Sequence, residues 1–230
     1  MDELVNLFTK AGGQFVSSPE VIAKKLKNEI KVYLFDWDGV FNGGIKGGQN
    51  VSLFAEPDAM GVNLLRFSHW MENQELPFTA LVTGANNKVA LELAQREHFH
   101  AIYLGYIDKG RALEHLVEEY SIKPHQVAYV FDDALDLPVA EKCGLRFLVK
   151  RPASPVFSRF VINHAMCDYI TGFTGENNAV REICELIIAF NNNYETTLKE
   201  RLAFSELYLS YFQKRQALPI AIHSYDWKGN

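Results

Sequence analysis

Val32-Tyr33-Leu34-Phe35-Asp36-Trp37-Asp38-Gly39-Val40 is an unbroken apolar run that ends in two carboxylates and a glycine. A strand with one wet face alternates polar and apolar side chains, whereas a strand covered on both faces reads as a continuous apolar stretch. Four more nearly continuous stretches follow, at Phe78–Val82, Ala101–Leu104, Val127–Phe131 and Leu145–Val149. Between them the apolar residues fall three and four apart. Met60, Leu64 and Phe67 mark a helix over Asp58–Trp70, and Val89, Ala90 and Leu93 mark one over Asn87–His98. Leu113, Leu116 and Val117 mark a third over Gly110–Tyr120, and Ala134–Cys143 forms the next. Strands alternating with helices specify an α/β fold: a doubly wound, Rossmann-like parallel sheet.

Outward from this core the signals thin. Ser17 or Ser18, followed by Pro19, opens a helix before the first strand. Pro152–Asn163 predicts a helix, Asp168–Ile170 a short edge strand, and Val180, Ile183, Cys184 and Ile187 a further helix. Phe204, Leu207, Tyr208, Tyr211 and Phe212 form an aromatic stripe outside the sheet pattern, read as a C-terminal helical appendage. Its face must cover either this domain or a neighbouring subunit. The last stretch, Ile222–Asn230, is expected to be loosely ordered. The chain thus divides into an N-terminal helical segment (1–30), a core domain (31–192) and a C-terminal helical extension (193–230).

The 230 residues can bury a sizeable core, and a net charge of -5 with no basic stripe argues against nucleic acid as a partner. No apolar run approaches the roughly 20 residues of a membrane span. The N-terminal MDELVNLFTKAGG lacks the features of a signal peptide. Cys143, Cys167 and Cys184 are odd in number and unpaired in spacing, which predicts buried, reduced thiols in a cytoplasmic protein. His98, His100, His115 and His125 lack ligand spacing and read as packing or surface residues.

Ligands of doubly wound sheets bind beyond the carboxyl ends of the strands, so the residues at those ends carry the chemistry. The first strand ends in Asp36 and Asp38, the second in Thr83-Gly84, and the fourth in Asp132-Asp133 with Asp136 one turn later. Lys109 begins the helix after the third. Clustered carboxylates repel unless a cation sits among them, and Mg²⁺ is the hard cation that favours such oxygens. With Lys109, that site can accept a phosphate dianion. Each residue alone has a plain alternative: Thr83 as a helix cap, Lys109 as a surface lysine, Asp136 as a first-turn charge. Their joint appearance at successive strand ends favours a site.

These residues resemble the haloacid dehalogenase superfamily of phosphohydrolases. Asp36-Trp37-Asp38-Gly39 matches its DxDG motif, Thr83 its second motif, Lys109 its third, and Asp132-Asp133-Ala134-Leu135-Asp136 its acidic fourth. The resemblance implies a phosphomonoesterase in which Asp36 attacks phosphorus and forms an aspartyl-phosphate, while Asp38 acts as general acid and base. It implies that Thr83, Gly84 and Lys109 hold the phosphoryl group. Mg²⁺ would be held by Asp36, the Asp38 carbonyl and Asp132, with Asp133 and Asp136 acting through water or as orienters. The short segment between Gly39 and Asp58, read as a β-hairpin over 43–54 in place of a cap domain, narrows the resemblance. It points to the minimal-cap sugar-acid phosphatases, the group of 3-deoxy-D-manno-octulosonate 8-phosphate phosphatase and N-acylneuraminate 9-phosphate phosphatase. That group implies a homo-oligomer, a tetramer whose neighbouring hairpin closes the site, and a substrate contact at Asp58. Four positions depart from its pattern. Ala85 and Pro57 stand where the group has arginines, Phe131 where it has a glycine, and Asn42 where it has a threonine. The expected substrate is a small phosphorylated sugar or sugar acid. A non-catalytic scaffold on the same fold and a phosphatase of nucleotides are the alternatives.

Overall fold

Burial on both faces explains the unbroken apolar runs. In the computed structural model, which describes residues 1–47 and 52–225, eight strands form one sheet. In chain order they are β1 (Gln14–Phe15), β2 (Val32–Asp36), β3 (Phe78–Thr83), β4 (Ala101–Leu104), β5 (Val127–Phe131), β6 (Leu145–Leu148), β7 (Tyr169–Ile170) and β8 (Ala221–Ser224). Their spatial order is β1-β7-β6-β5-β2-β3-β4-β8, parallel throughout except for the antiparallel β1–β7 pair. From β2 the chain winds outward through β3 and β4, then returns to β5 on the other side. This reversal leaves β2 and β5 side by side with their following loops diverging, the place where such sheets form a crevice.

Helices cover both faces. Side chains of α2 (Pro19–Asn28), α3 (Glu56–Asn73), α4 (Lys88–Arg96) and α8 (Ala179–Phe190) pack with Tyr33, Phe35, Leu81, Ile102 and Val130 in one core. On the opposite face α5 (Lys109–Glu119), α6 (Leu137–Ala140) and α7 (Pro155–Asn163) cover Leu34, Val82, Tyr103 and Tyr129. Local chemistry sets where the helices start. Ser18 Oγ accepts from the Val21 amide with Pro19 in the first turn, and Asn87 Oδ1 accepts from the Val89 and Ala90 amides. All three cysteines are free and buried. Among the described residues no helix is long and apolar enough to cross a membrane.

The periphery differs from the sequence reading in several places. Tyr169–Ile170 is not an edge strand, because Gln14–Phe15 adds outside it. A two-residue strand has no periodicity, and its place is fixed by distant contacts such as Ser17 Oγ donating to Asp168 at 2.6 Å. Ala134–Cys143 is a single 3-10 turn (Ala134–Asp136) followed by the one-turn α6. The C-terminus is not loose at Ile222: Ala221–Ser224 pairs with β4 as an eighth strand. Residues 48–51 of the hairpin expected over 43–54 lie outside the described residues, and on either side of them Ser52 Oγ donates to the Ile45 carbonyl at 3.3 Å. Two unforeseen helices, α1 (Asp2–Lys10) and α9 (Tyr194–Leu202), complete the termini.

Tyr208 and Tyr211 of the aromatic stripe, on α10 (Glu206–Gln216), cover this domain. Tyr208 and Tyr211 pack on Phe67 and Trp70 of α3, with the Phe67–Tyr211 ring centroids 5.1 Å apart. The Tyr211 hydroxyl donates to the Asn63 carbonyl at 3.1 Å. Beside it the buried Arg215 and Glu97 form an ion pair at 2.8 Å. Tyr211→Ala should therefore destabilise the chain by about 3–5 kcal/mol, the usual cost of removing a buried aromatic ring, read as a lower denaturant midpoint. A loss under about 1 kcal/mol would mean that α10 is not seated on α3.

Candidate active site

The carboxyl edge of the sheet assembles the site. Asp36 closes β2, and register pairs it with Val82, so Thr83 of β3 stands one residue further out on the same edge. Asp132 follows β5 directly, and Lys109 opens α5 after the turn that leaves β4. Asp36, Asp132 and Asp136 are buried, and each offers an oxygen within 4.8 Å of the others. Lys109 Nζ donates to Asp36 at 2.5 Å and to Asp136 at 2.6 Å. Asp136 is fully engaged, since its Oδ1 also accepts from the Tyr129 hydroxyl at 2.5 Å and its Oδ2 from the Asp133 amide at 3.2 Å. It shapes the loop and anchors Lys109.

Glycine at 39 is a steric requirement. Its φ is +89°, and a Cβ there would collide with the Asp132 carboxylate and the Arg151 guanidinium. Arg151, two residues past Val149, pairs with Asp132. Asn42 accepts from the Gly44 amide at 2.9 Å, so it stabilises the loop that carries Asp38 and Gly39.

Burial dominates the electrostatics. It pushes the Asp36 carboxyl well above the ordinary carboxylate range, with Asp136 adding to the rise and Lys109 opposing it. Asp132 is pushed up to about 6, again chiefly by burial, against the pull of Arg151. Burial alone would lower Lys109, but Asp36 and Asp136 outweigh it and raise the ammonium above its usual value. Three buried carboxylates with two organic cations at their margin are short of positive charge, and hard oxygen donors at this spacing fit a divalent ion.

The remaining sequence candidates divide. Asp38 is half-buried at the rim, where its carboxylate accepts from Ser52 Oγ at 2.7 Å and pairs with Lys46 at 2.7 Å. It does not belong to the buried acid trio, and only its carbonyl was expected at the ion. Thr83 is buried, with Oγ1 accepting from the Ala85 amide at 3.3 Å, and Gly84 beside it is half-buried. Asp133 is exposed, and its side chain caps the Ala134 amide at 2.7 Å. Asp58, expected to contact substrate, packs between α3 and α8. It is wholly buried, and its oxygens accept from the Arg181 amide at 2.8 Å and Asn178 at 3.2 Å, tying α8 to α3. Phe131 stacks its ring on Tyr129 at 5.7 Å inside the helix-covered core. Arg151, Tyr129, Lys46 and Ser52 were not foreseen. Of these, Arg151 alone carried a signal, as a charged residue just past a strand end.

Comparison with known proteins bears on this geometry. The 3-deoxy-D-manno-octulosonate 8-phosphate phosphatase of Salmonella typhimurium is 30% identical over 189 residues, 78% of this chain and 92% of that protein. The chain belongs to this phosphatase family. Its superfamily is shown by the structure of a haloacid dehalogenase superfamily (subfamily III A) hydrolase from Legionella pneumophila. That structure has a TM-score of 0.66 at 28% identity, covering 80% of this chain and 95% of that one. A family structure from Moraxella catarrhalis, in complex with magnesium ion, phosphate ion and KDO, has a TM-score of 0.64 at 29% identity, over 78% of this chain and 97% of that one. No family model matches the chain. Membership of the phosphatase family makes the chain a phosphoric monoester hydrolase.

Asp58 supplies a pH test of the scaffold. Burial first, against the bonds from Arg181 and Asn178, raises its carboxyl from 3.8 to about 6. A folded value above the unfolded one gives stability that is complete below about pH 4 and lost as pH rises through about 6. Melting temperatures of the unaltered protein should therefore fall relative to those of Asp58→Asn between pH 4 and 7. A difference that stays constant across this range would show that Asp58 titrates normally.

Proposed function

We propose that the chain is a magnesium-dependent phosphomonoesterase of sugar-acid phosphates, working through an aspartyl-phosphate on Asp36. The observation that carries this reading is the buried cluster of Asp36, Asp132 and Asp136 bridged by Lys109 at the sheet's reversal point. The substrate class rests on the family's named activity. Magnesium, bound by Asp36, the Asp38 carbonyl and Asp132, supplies charge that lets an anionic nucleophile and a phosphate dianion approach each other.

The chain's own groups would do the rest. An Asp36 carboxylate oxygen attacks phosphorus as the bond to the substrate oxygen breaks, and Asp38 gives that oxygen a proton. Asp38 then removes a proton from the water that attacks the aspartyl-phosphate, which releases phosphate and restores Asp36. Lys109 orients Asp36 and faces the phosphoryl oxygens, while the Thr83 hydroxyl and the Gly84 amide complete their cradle. In phosphoryl transfer such positioning and charge stabilisation account for most of the rate. A homo-oligomer, tetrameric by family resemblance, is part of the same reading, and sedimentation at micromolar concentration reports on it.

Asp36→Asn should reduce Mg²⁺-dependent phosphate release from a sugar-acid phosphate by at least about 10³-fold, since the nucleophile is lost. Chelation of metal should silence the unaltered enzyme reversibly. Full turnover by Asp36→Asn would exclude the covalent route.

A further inference from the structure

The eighth strand does more than cover an edge. It runs parallel to β4, from Ala221 opposite Ala101 to Ser224 opposite Leu104, so it heads for the edge that holds Asp36. There the Tyr225 amide donates to the Leu104 carbonyl at 2.9 Å. The next residue along β4 is Gly105, with φ +77°, and a Cβ on it would lie 2.5 Å from the Tyr225 carbonyl oxygen. Turn and strand therefore meet backbone to backbone. Behind this contact His223 stacks on Tyr103 at 4.8 Å and hydrogen-bonds the Tyr120 hydroxyl at 3.0 Å, which pins the strand.

Tyr225 then reaches both flanks of Lys109. Its ring lies 5.4 Å from that of Tyr106, before the lysine, and its hydroxyl accepts from Arg111 Nη1 at 2.7 Å, after it. The Arg111 guanidinium also sits 5.6 Å from the Tyr225 ring centroid. The Gly105 and Tyr106 amides tie the turn to the Ala85 and Thr83 carbonyls, at 3.2 and 3.1 Å, but helix α5 has no side-chain cap from Asp108, so the end of the turn that launches Lys109 lacks that fastening. Covering an edge strand requires none of these contacts beyond the ladder itself.

We propose that the C-terminal extension is a positioning element of the active site: Tyr225, delivered by β8, holds the Gly105–Lys109 turn so that the lysine meets Asp36. This rests on the role given to Lys109 in phosphate hydrolysis. Misplacing a catalytic group by about 1 Å can cost up to about 10²-fold in rate, so a loosened turn should be visible in kcat.

The test is Tyr225→Ala in the full chain, alone and combined with Lys109→Arg, assayed on p-nitrophenyl phosphate with Mg²⁺. Amide exchange over residues 105–109 is followed in parallel. Tyr225→Ala should lower kcat about tenfold with KM within about twofold, yet cost less than about twofold once Lys109→Arg has displaced the ammonium. Exchange across the turn should accelerate. Unchanged kcat, equal losses in both backgrounds, or unchanged exchange would each overturn the proposal. If the unaltered protein releases no phosphate, the hydrolytic reading falls, and exchange alone decides the clamp. If Tyr225→Ala does not fold, Tyr225→Phe keeps the ring, loses the Arg111 bond and should show about a threefold effect in the same assays.

Discussion

Three buried carboxylates crowded at one sheet edge repel one another, and the site depends on how that repulsion is met. Lys109 meets part of it by bridging Asp36 and Asp136, and Arg151 meets part at Asp132. The rest is a demand for a divalent cation, created by burial itself. The sheet order puts the ends of β2 and β5 next to each other, so two of the acids come together without a long loop. Gly39 then lets the backbone pass so close to Asp132 that no other residue would fit without displacement.

The core of this arrangement was legible because its signals are local and redundant. Continuous apolar runs located the five central strands to within one residue at each end, as Val32–Asp36 and Leu145–Leu148 show. Strand ends then pointed to Asp36, Thr83, Lys109 and Asp132. That rule gives the edge a residue occupies but not the direction of its side chain. Asp133 thus caps its own turn, and Asp58 fastens α8, neither of which the strand-end rule specifies. Strands β1 and β8 were missed because two to four residues carry no period, and their partners lie more than a hundred residues away.

One departure from the family pattern, Phe131, acquires physical meaning once placed in the fold. Phe131 adds bulk to the core against Tyr129, whose hydroxyl holds Asp136, so the change supports the acidic loop from behind. The C-terminal extension, which read as an appendage, carries α10 onto α3 and returns to the sheet beside the Lys109 turn. Strand β8 thus runs toward the edge where the family motifs meet.

Binding of Mg²⁺ tests the central claim most directly. Calorimetric titration at neutral pH should show one ion bound per chain, with a matching rise in melting temperature, and both should disappear in Asp132→Asn. If the unaltered protein neither binds nor is stabilised by Mg²⁺ at millimolar concentration, the buried acids are not a metal site and this account of the chemistry is wrong.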